Sequence, residues 1–157
     1  MLSPDKRFEL INVDSDKEPH HSIFLKERKT GQSRKVYEYG RSAAVLWAPD
    51  SKHFALNDHA GSDFTNTYVV AVDESTPRID VQEEIQHFVK GLAGGHHEYF
   101  GVARWLDNRT VVVHHWGHGD GDAFCDCIIY VLSESAKKCK RQGKARDPEQ
   151  LCDDMTP

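Results

Sequence analysis

The chain has 157 residues, 38% hydrophobic and 29% charged, the proportions of a globular domain rather than a disordered one. A net charge of −5 and a pI near 6.0 give no general attraction for phosphate backbones or anionic lipid, so nucleic acid is not an expected partner. No apolar run approaches the roughly 20 residues a membrane helix needs, and a chain this long can bury a core without metal or disulfides.

From the amino end, Met1 to Asp5 shows no leader, which fits a cytoplasmic chain or a secreted one without its signal peptide. Ser3-Pro4-Asp5-Lys6-Arg7-Phe8 runs into a strand-like stretch from Leu10 to Val13, a polar turn from Asp14 to His20, and a strand from Ser22 to Leu25. A charged turn containing Gly31 leads to an alternating strand from Arg34 to Tyr39. Ala48-Pro49-Asp50-Ser51-Lys52-His53-Phe54 then repeats the opening, followed by a polar turn from Asn57 to Asn66 and a strand from Thr67 to Val72. Pro4 and Pro49 are 45 residues apart, a period that suits a four-stranded propeller blade.

Over 80–92, Val81, Ile85, Phe88, Val89 and Leu92 fall at helical spacing, with Glu83 and Glu84 near the start and glycines near the end. This predicts one amphipathic helix in place of a fourth strand. Trp105-Leu106-Asp107-Asn108-Arg109 answers Trp47-Ala48-Pro49-Asp50 with one residue fewer, and opens a third, weaker copy with strands at Thr110 to His115 and Phe124 to Leu132. The copies therefore span about 1–40, 41–79 and 99–132. Each is read as a Trp-led strand, a tight turn, a strand, a polar hairpin and a strand, the first copy without its Trp-led strand. Residues 133–157 are read as a basic tail.

Cys125, Cys127, Cys139 and Cys152 all lie near the carboxyl end, the pattern of a disulfide-anchored tail in a secreted or periplasmic protein. Cys125 and Cys127 are two apart on a strand, so each is expected to pair with Cys139 or Cys152 rather than with its neighbour. Paired Cys-x-x-Cys knuckles for structural zinc are absent from the sequence.

The Ser-Pro-Asp opening, the Trp two residues ahead of Pro49 and the polar hairpin before a final strand resemble the repeats of TolB-type and WD-like β-propellers. The likeness covers about 2–75 well and 99–133 loosely, and it brings no catalytic residues with it. It implies a mainly β fold of two to three antiparallel blade-like sheets with one helix. Propellers close with about four to eight blades, so the expectation is an incomplete propeller. Its stack is either covered by the helix and tail or completed by a copy of itself or a partner through uncovered sheet edges. A repeat-positioned Trp47 or Trp105 is expected to pack sheets rather than anchor a partner.

The resemblance further implies a platform whose loops contact proteins. The candidate binding residues are Asp58, His59 and Asp63 in the second hairpin, His96 and His97 before the third copy, and Trp116, His118 and Asp120 in its hairpin. The leading expectation is a non-enzymatic protein-binding module without cofactor, such as an inhibitor, an immunity protein against a toxin, or an envelope-assembly subunit. The alternative is a metal-dependent hydrolase using His114, His115, His118, Asp120 and Asp122, residue types that hold divalent ions. Alternation along a strand places His114 and His115 on opposite faces, which works against a simple chelate.

Overall fold

Two tight turns set the repeat in three dimensions. Ser3 and Ala48 each open a turn, with Lys6 N donating to Ser3 O (2.9 Å) and Ser51 N to Ala48 O (3.1 Å). Behind them run antiparallel ladders. The computed structural model describes residues 1–92, 94–119 and 123–139 of the chain.

The first sheet has three strands in sequential order: β1 (Phe8–Asp14), β2 (His21–Glu27) and β3 (Ser33–Tyr39). The second has four, β4 (Ala43–Trp47), β5 (His53–Asp58), β6 (Asn66–Ala71) and the two-residue β7 (Ile79–Asp80), and a helix α1 (Val81–Phe88) follows. The third also has four, β8 (His97–Trp105), β9 (Thr110–His118), β10 (Phe124–Val131) and β11 (Ser135–Lys138). The fold is thus mainly β, three antiparallel blades with one helix.

Several boundaries differ from the sequence expectation. Trp47 and Trp105 end their strands rather than lead them, so the strand before each tight turn is built from the residues preceding the Trp. α1 does not replace a fourth strand. Ile79 and Asp80 first pair with Val69 and Tyr68, and only then does Asp80 turn its carboxylate to accept from Glu83 N (3.0 Å) and cap a shorter helix. In the third blade, the first residues of the stretch read as tail pair with β10 as a fourth strand. The weak periodicity of a short edge strand hid it.

Met1 and Leu2 lie along β1 where the second blade places the end of β4. Leu2 bridges Glu9 as Trp47 pairs with Phe54, and Leu10 N donates to Met1 O (2.8 Å).

The blades stack face to face. Leu10, Ile23 and Leu25 of the first pack against Phe54, Leu56 and Val70 of the second. Ala55 and Val69, on the other face of the second blade, join Phe100, Val102, Val111, Val113, Ile128 and Tyr130 of the third, with Val81 and Ile85 of α1 in the same cluster. The middle blade is covered on both faces, so β5 is buried from Phe54 to Asp58.

β8 is the inner strand of its blade, and its open edge would expose a row of backbone groups. Side chains of the second blade cover that edge. Asn57 makes a pair of bonds to Val102, Nδ2 to O and N to Oδ1, each 2.9 Å. Thr65 and Thr67 hydroxyls donate to Phe100 O at 2.6 and 2.7 Å, and Phe100 N donates back to Thr65 Oγ1 at 2.8 Å. These bonds explain why three polar side chains are buried in an apolar stack.

Candidate functional site

The strand ends form two rims. The tight turns and the β2–β3, β6–β7 and β10–β11 connections lie at one, and the long hairpins lie at the other. Most of the candidate binding residues that fall within the described residues gather at the hairpin rim, around the start of β8 and the end of β9.

The β5–β6 hairpin reaches across to the third blade there. Phe64 forms a parallel bridge with Glu98, and Glu98 N donates to Asp63 O at 3.0 Å. Tyr99 donates its hydroxyl hydrogen to Ser62 O at 2.7 Å, and His97 Nδ1 lies 3.3 Å from the same carbonyl. Gly61 permits this fold-over, since a Cβ on it would fall 2.6 Å from the Phe64 ring. Phe64 stays 46% exposed, so the hairpin delivers an aromatic side chain to solvent beside the histidines.

Register then builds an aromatic ladder on one face of the third blade. His97 pairs with His118 and Tyr99 with Trp116 across the β8–β9 ladder. The imidazoles stack with centroids 4.3 Å apart, and the Tyr99 and Trp116 rings stack at 5.4 Å. The rung after Tyr99 is Gly101, and the Trp116 ring lies over it, 3.3 Å from where a Cβ would be. His59 and His96 are exposed nearby in sequence, and His59 N is held by Ser42 O at 2.9 Å.

Asp58 does not join this surface. It is 3% exposed and accepts the Tyr37 hydroxyl at 2.9 Å, tying the first blade to the second. Burial, with the nearby carboxylate adding to it, raises the Tyr37 pKa well above the usual tyrosine value.

His114 and His115 lie on opposite faces, as strand alternation predicts, and their surroundings differ. His115 is fully buried, stacked on Phe100 at 4.3 Å, with Nε2 2.8 Å from Glu98 Oε1. Its Nδ1 stands 3.6 Å from Asp126 Oδ2, an ion-pair distance rather than a hydrogen bond, and Lys138 Nζ reaches the same oxygen at 2.9 Å. The imidazole is the largest influence holding the Asp126 carboxyl below the usual range; burial opposes it and Lys138 adds to it. His115 thus links three strands of its blade and is turned away from His118. Asp120, Asp122 and Cys152 lie outside the described residues. Among the described residues, no group of three or more His, Cys, Asp or Glu side chains is arranged to hold a metal ion.

Cys127 is bonded to Cys139, as expected of the pairings that avoid Cys125 with Cys127. The bridge pins the end of β11 beside β10, where Cys139 N also donates to Cys127 O at 2.8 Å.

Sequence reasoning did not single out Ser62, Phe64 and Tyr99. Phe64 was detectable as a lone aromatic in an otherwise polar hairpin, and Tyr99 as the residue two along from His97 on one strand face. Nothing local marked Ser62, whose role comes from its carbonyl.

No protein-family model matches the chain, and no curated protein matches it. Solved structures do. The β-propeller domain of the Trilobed protease from Pyrococcus furiosus, described as having an open velcro topology, superposes over 88% of this chain and 41% of its own, at 13% identity and a TM-score of 0.62. TolB from Acinetobacter baumannii superposes over 87% of this chain and 30% of its own, at 13% identity and a TM-score of 0.50. The chain spans less than half the length of either. The repeated tight turn, the stacked four-stranded sheets and these superpositions together show that the chain has a TolB-like β-propeller fold.

Proposed function

We propose that this chain is a non-catalytic protein-binding module that acts through its hairpin rim. The observation that carries the reading is the joining of two hairpin segments from different blades into one surface, where Phe64 stands exposed beside the His97–His118 and Tyr99–Trp116 stacks. Aromatic side chains on a rigid frame lose little entropy on binding and supply much of the energy at protein interfaces. Their backbone is fixed by Asp63, Ser62 and Glu98, so the surface is largely formed before a partner arrives.

An oxidising compartment, periplasmic or extracellular, is supported by the Cys127–Cys139 bridge, because such bonds persist there and are rare in the cytosol. Within that setting the roles we propose are inhibitor, immunity protein or envelope-assembly subunit. We further propose self-association through uncovered sheet edges, which sizing in solution tests.

The test is capture from native extract with the intact chain and with Phe64→Ala/Trp116→Ala, its fold checked by circular dichroism. A protein retained by the wild type and lost with the double variant supports the reading. Retention of the same proteins by both overturns it.

A further inference from the structure

The tight turn of the third blade carries a motif that the hairpin rim does not use. Asn108-Arg109-Thr110 has an amide side chain, then a residue other than proline, then a hydroxyl two positions on. That spacing is the acceptor pattern for N-linked oligosaccharide. The chain has four asparagines, and the other three, Asn12, Asn57 and Asn66, are followed two positions on by Asp14, His59 and Tyr68, which lack the aliphatic hydroxyl.

The structure sets Asn108 apart from those three independently of the motif. Asn12 is bonded to Asp14 at 2.6 Å and to Tyr39 at 2.8 Å. Asn57 is buried with both ends of its amide on Val102, and Asn66 is half-buried in β6 opposite Asp58. Asn108 is exposed in the turn between β8 and β9, and its side chain makes no hydrogen bond among the described residues. Its neighbours hold the turn without it. Asp107 Oδ1 accepts from Arg109 N at 2.7 Å and from Thr110 N at 2.8 Å, and the Arg109 guanidinium pairs with Glu134 at 2.8 Å. A bulky group on the Asn108 amide therefore displaces no bond of the turn.

We infer that Asn108 is a glycosylation site, which receives an N-linked oligosaccharide when the chain passes through an oxidising secretory compartment. The inference rests on the compartment part of the proposed function, for which the Cys127–Cys139 bridge is the support. The donor is an oligosaccharide carried on a polyprenyl pyrophosphate. Asn108 Nδ2 bonds to the anomeric carbon of the first sugar, and the bond from that carbon to the pyrophosphate oxygen breaks. Polyprenyl pyrophosphate leaves with the electron pair, and one amide proton passes to a base of the transferase, with nothing oxidised or reduced. The glycan stands at the rim opposite the aromatic ladder, so it adds a hydrophilic cover there and leaves the hairpin surface open to a partner.

The test expresses the intact 157-residue chain behind a cleavable secretion leader in insect cells. Secreted wild type is expected as a heavier species that peptide N-glycosidase converts to the bare chain, with Asn108 recovered as aspartate in the peptide map. Asn108→Gln and Thr110→Val should each lose the heavier species completely, whereas Thr110→Ser should keep it. Valine matches threonine in shape and keeps the backbone N–H that Asp107 accepts, so its loss of glycan reports the hydroxyl; circular dichroism checks that each variant folds. Secreted wild type with an unmodified Asn108 overturns the inference, and so does a glycan that survives Thr110→Val. Thiol counting on the same protein keeps the two readings apart: an open Cys127–Cys139 bridge beside a glycosylated Asn108 counts against the compartment argument and leaves the glycosylation site standing.

Discussion

Lys6 and Ser51 stand at the same point of successive repeats and share a left-handed backbone, φ 62° and 61°. Neither is glycine, so each turn carries strain of about 1 kcal/mol or more from its Cβ. The turns are tied together, with Asp5 N donating to the Ser51 hydroxyl at 3.0 Å, so the two repeats hold each other in this conformation.

Lys6 is exposed, which makes the strain measurable without disturbing the core. Lys6→Gly should be neutral or stabilising by up to about 1 kcal/mol, the relief of strain being offset by the freedom glycine gains in the unfolded chain. Lys6→Val should cost about 1–2 kcal/mol, since a β-branched side chain fits this region worst. Urea denaturation of the pair decides it. Equal stability of the two variants would mean that the turn bears no strain.

Tyr37 and Asp58 join the first two blades through one hydrogen bond, and they give an alkaline limit to stability. Burial raises the Tyr37 pKa above its usual value, and burial is also the largest cause pushing Tyr130 up to about 12. An acid whose folded pKa exceeds its unfolded value of about 10 contributes stability below that pH, and this is lost as pH rises from about 10 towards the folded pKa. The unfolding midpoint should therefore fall progressively above pH 10. Tyr37→Phe should flatten that fall and cost about 1–3 kcal/mol at neutral pH, where the buried Asp58 carboxylate loses its donor. Ultraviolet titration of the folded protein checks the same point: Tyr37 and Tyr130 should ionise only above the usual tyrosine range.

The repeat was legible because turn chemistry is local: Ser-Pro-Asp and Ala-Pro-Asp specify similar turns whatever surrounds them. The helix was legible by period, but its first residues were not, since Ile79 and Asp80 are drawn into the sheet by their neighbour β6. Polar residues misled most. Asn57 and Thr65 read as hairpin and Thr67 as the start of a strand, yet all three are buried with their side chains bonded because β8 needs partners for its open edge, a requirement that exists only once the third blade is in place. The rim was half legible for a similar reason. Its histidines were conspicuous in the sequence, whereas the cross-strand register that stacks them, and the reach of Phe64 across blades, are tertiary facts.

His115 beside Asp126 contributes to stability in acid. The folded Asp126 carboxyl titrates below its unfolded value, so its stabilising contribution is complete above about pH 4 and is lost as pH falls through the folded pKa. Asp126→Asn should lower the unfolding midpoint at neutral pH and make it less dependent on pH below about 4. His115→Ala removes a fully buried ring stacked on Phe100 and leaves Glu98 without its partner, so it should cost about 3–5 kcal/mol. Thermal melts across this pH range separate the two effects. An acid limb of unchanged slope in Asp126→Asn would show that other carboxylates dominate it.

Gly117 tests how tightly the aromatic ladder depends on its backbone. A Cβ there would fall 2.0 Å from His97 O, inside any allowed contact and against backbone rather than a movable side chain, whereas a Cβ on Gly101 would meet the edge of the Trp116 ring at 3.3 Å. The first clash can be relieved only by parting β8 from β9 at the His97–His118 pair; the second needs a few tenths of an ångström from one ring. Gly117→Ala should therefore destabilise by about 3 kcal/mol or more, and Gly101→Ala by about 1 kcal/mol. The two should also differ spectroscopically. Gly117→Ala should alter the near-ultraviolet circular dichroism of the Tyr99–Trp116 stack and weaken partner capture by the hairpin rim, while Gly101→Ala keeps most of both. Equal costs for the two substitutions would mean that the strands part at this end without resistance, and that the rim is not formed in advance of its partner.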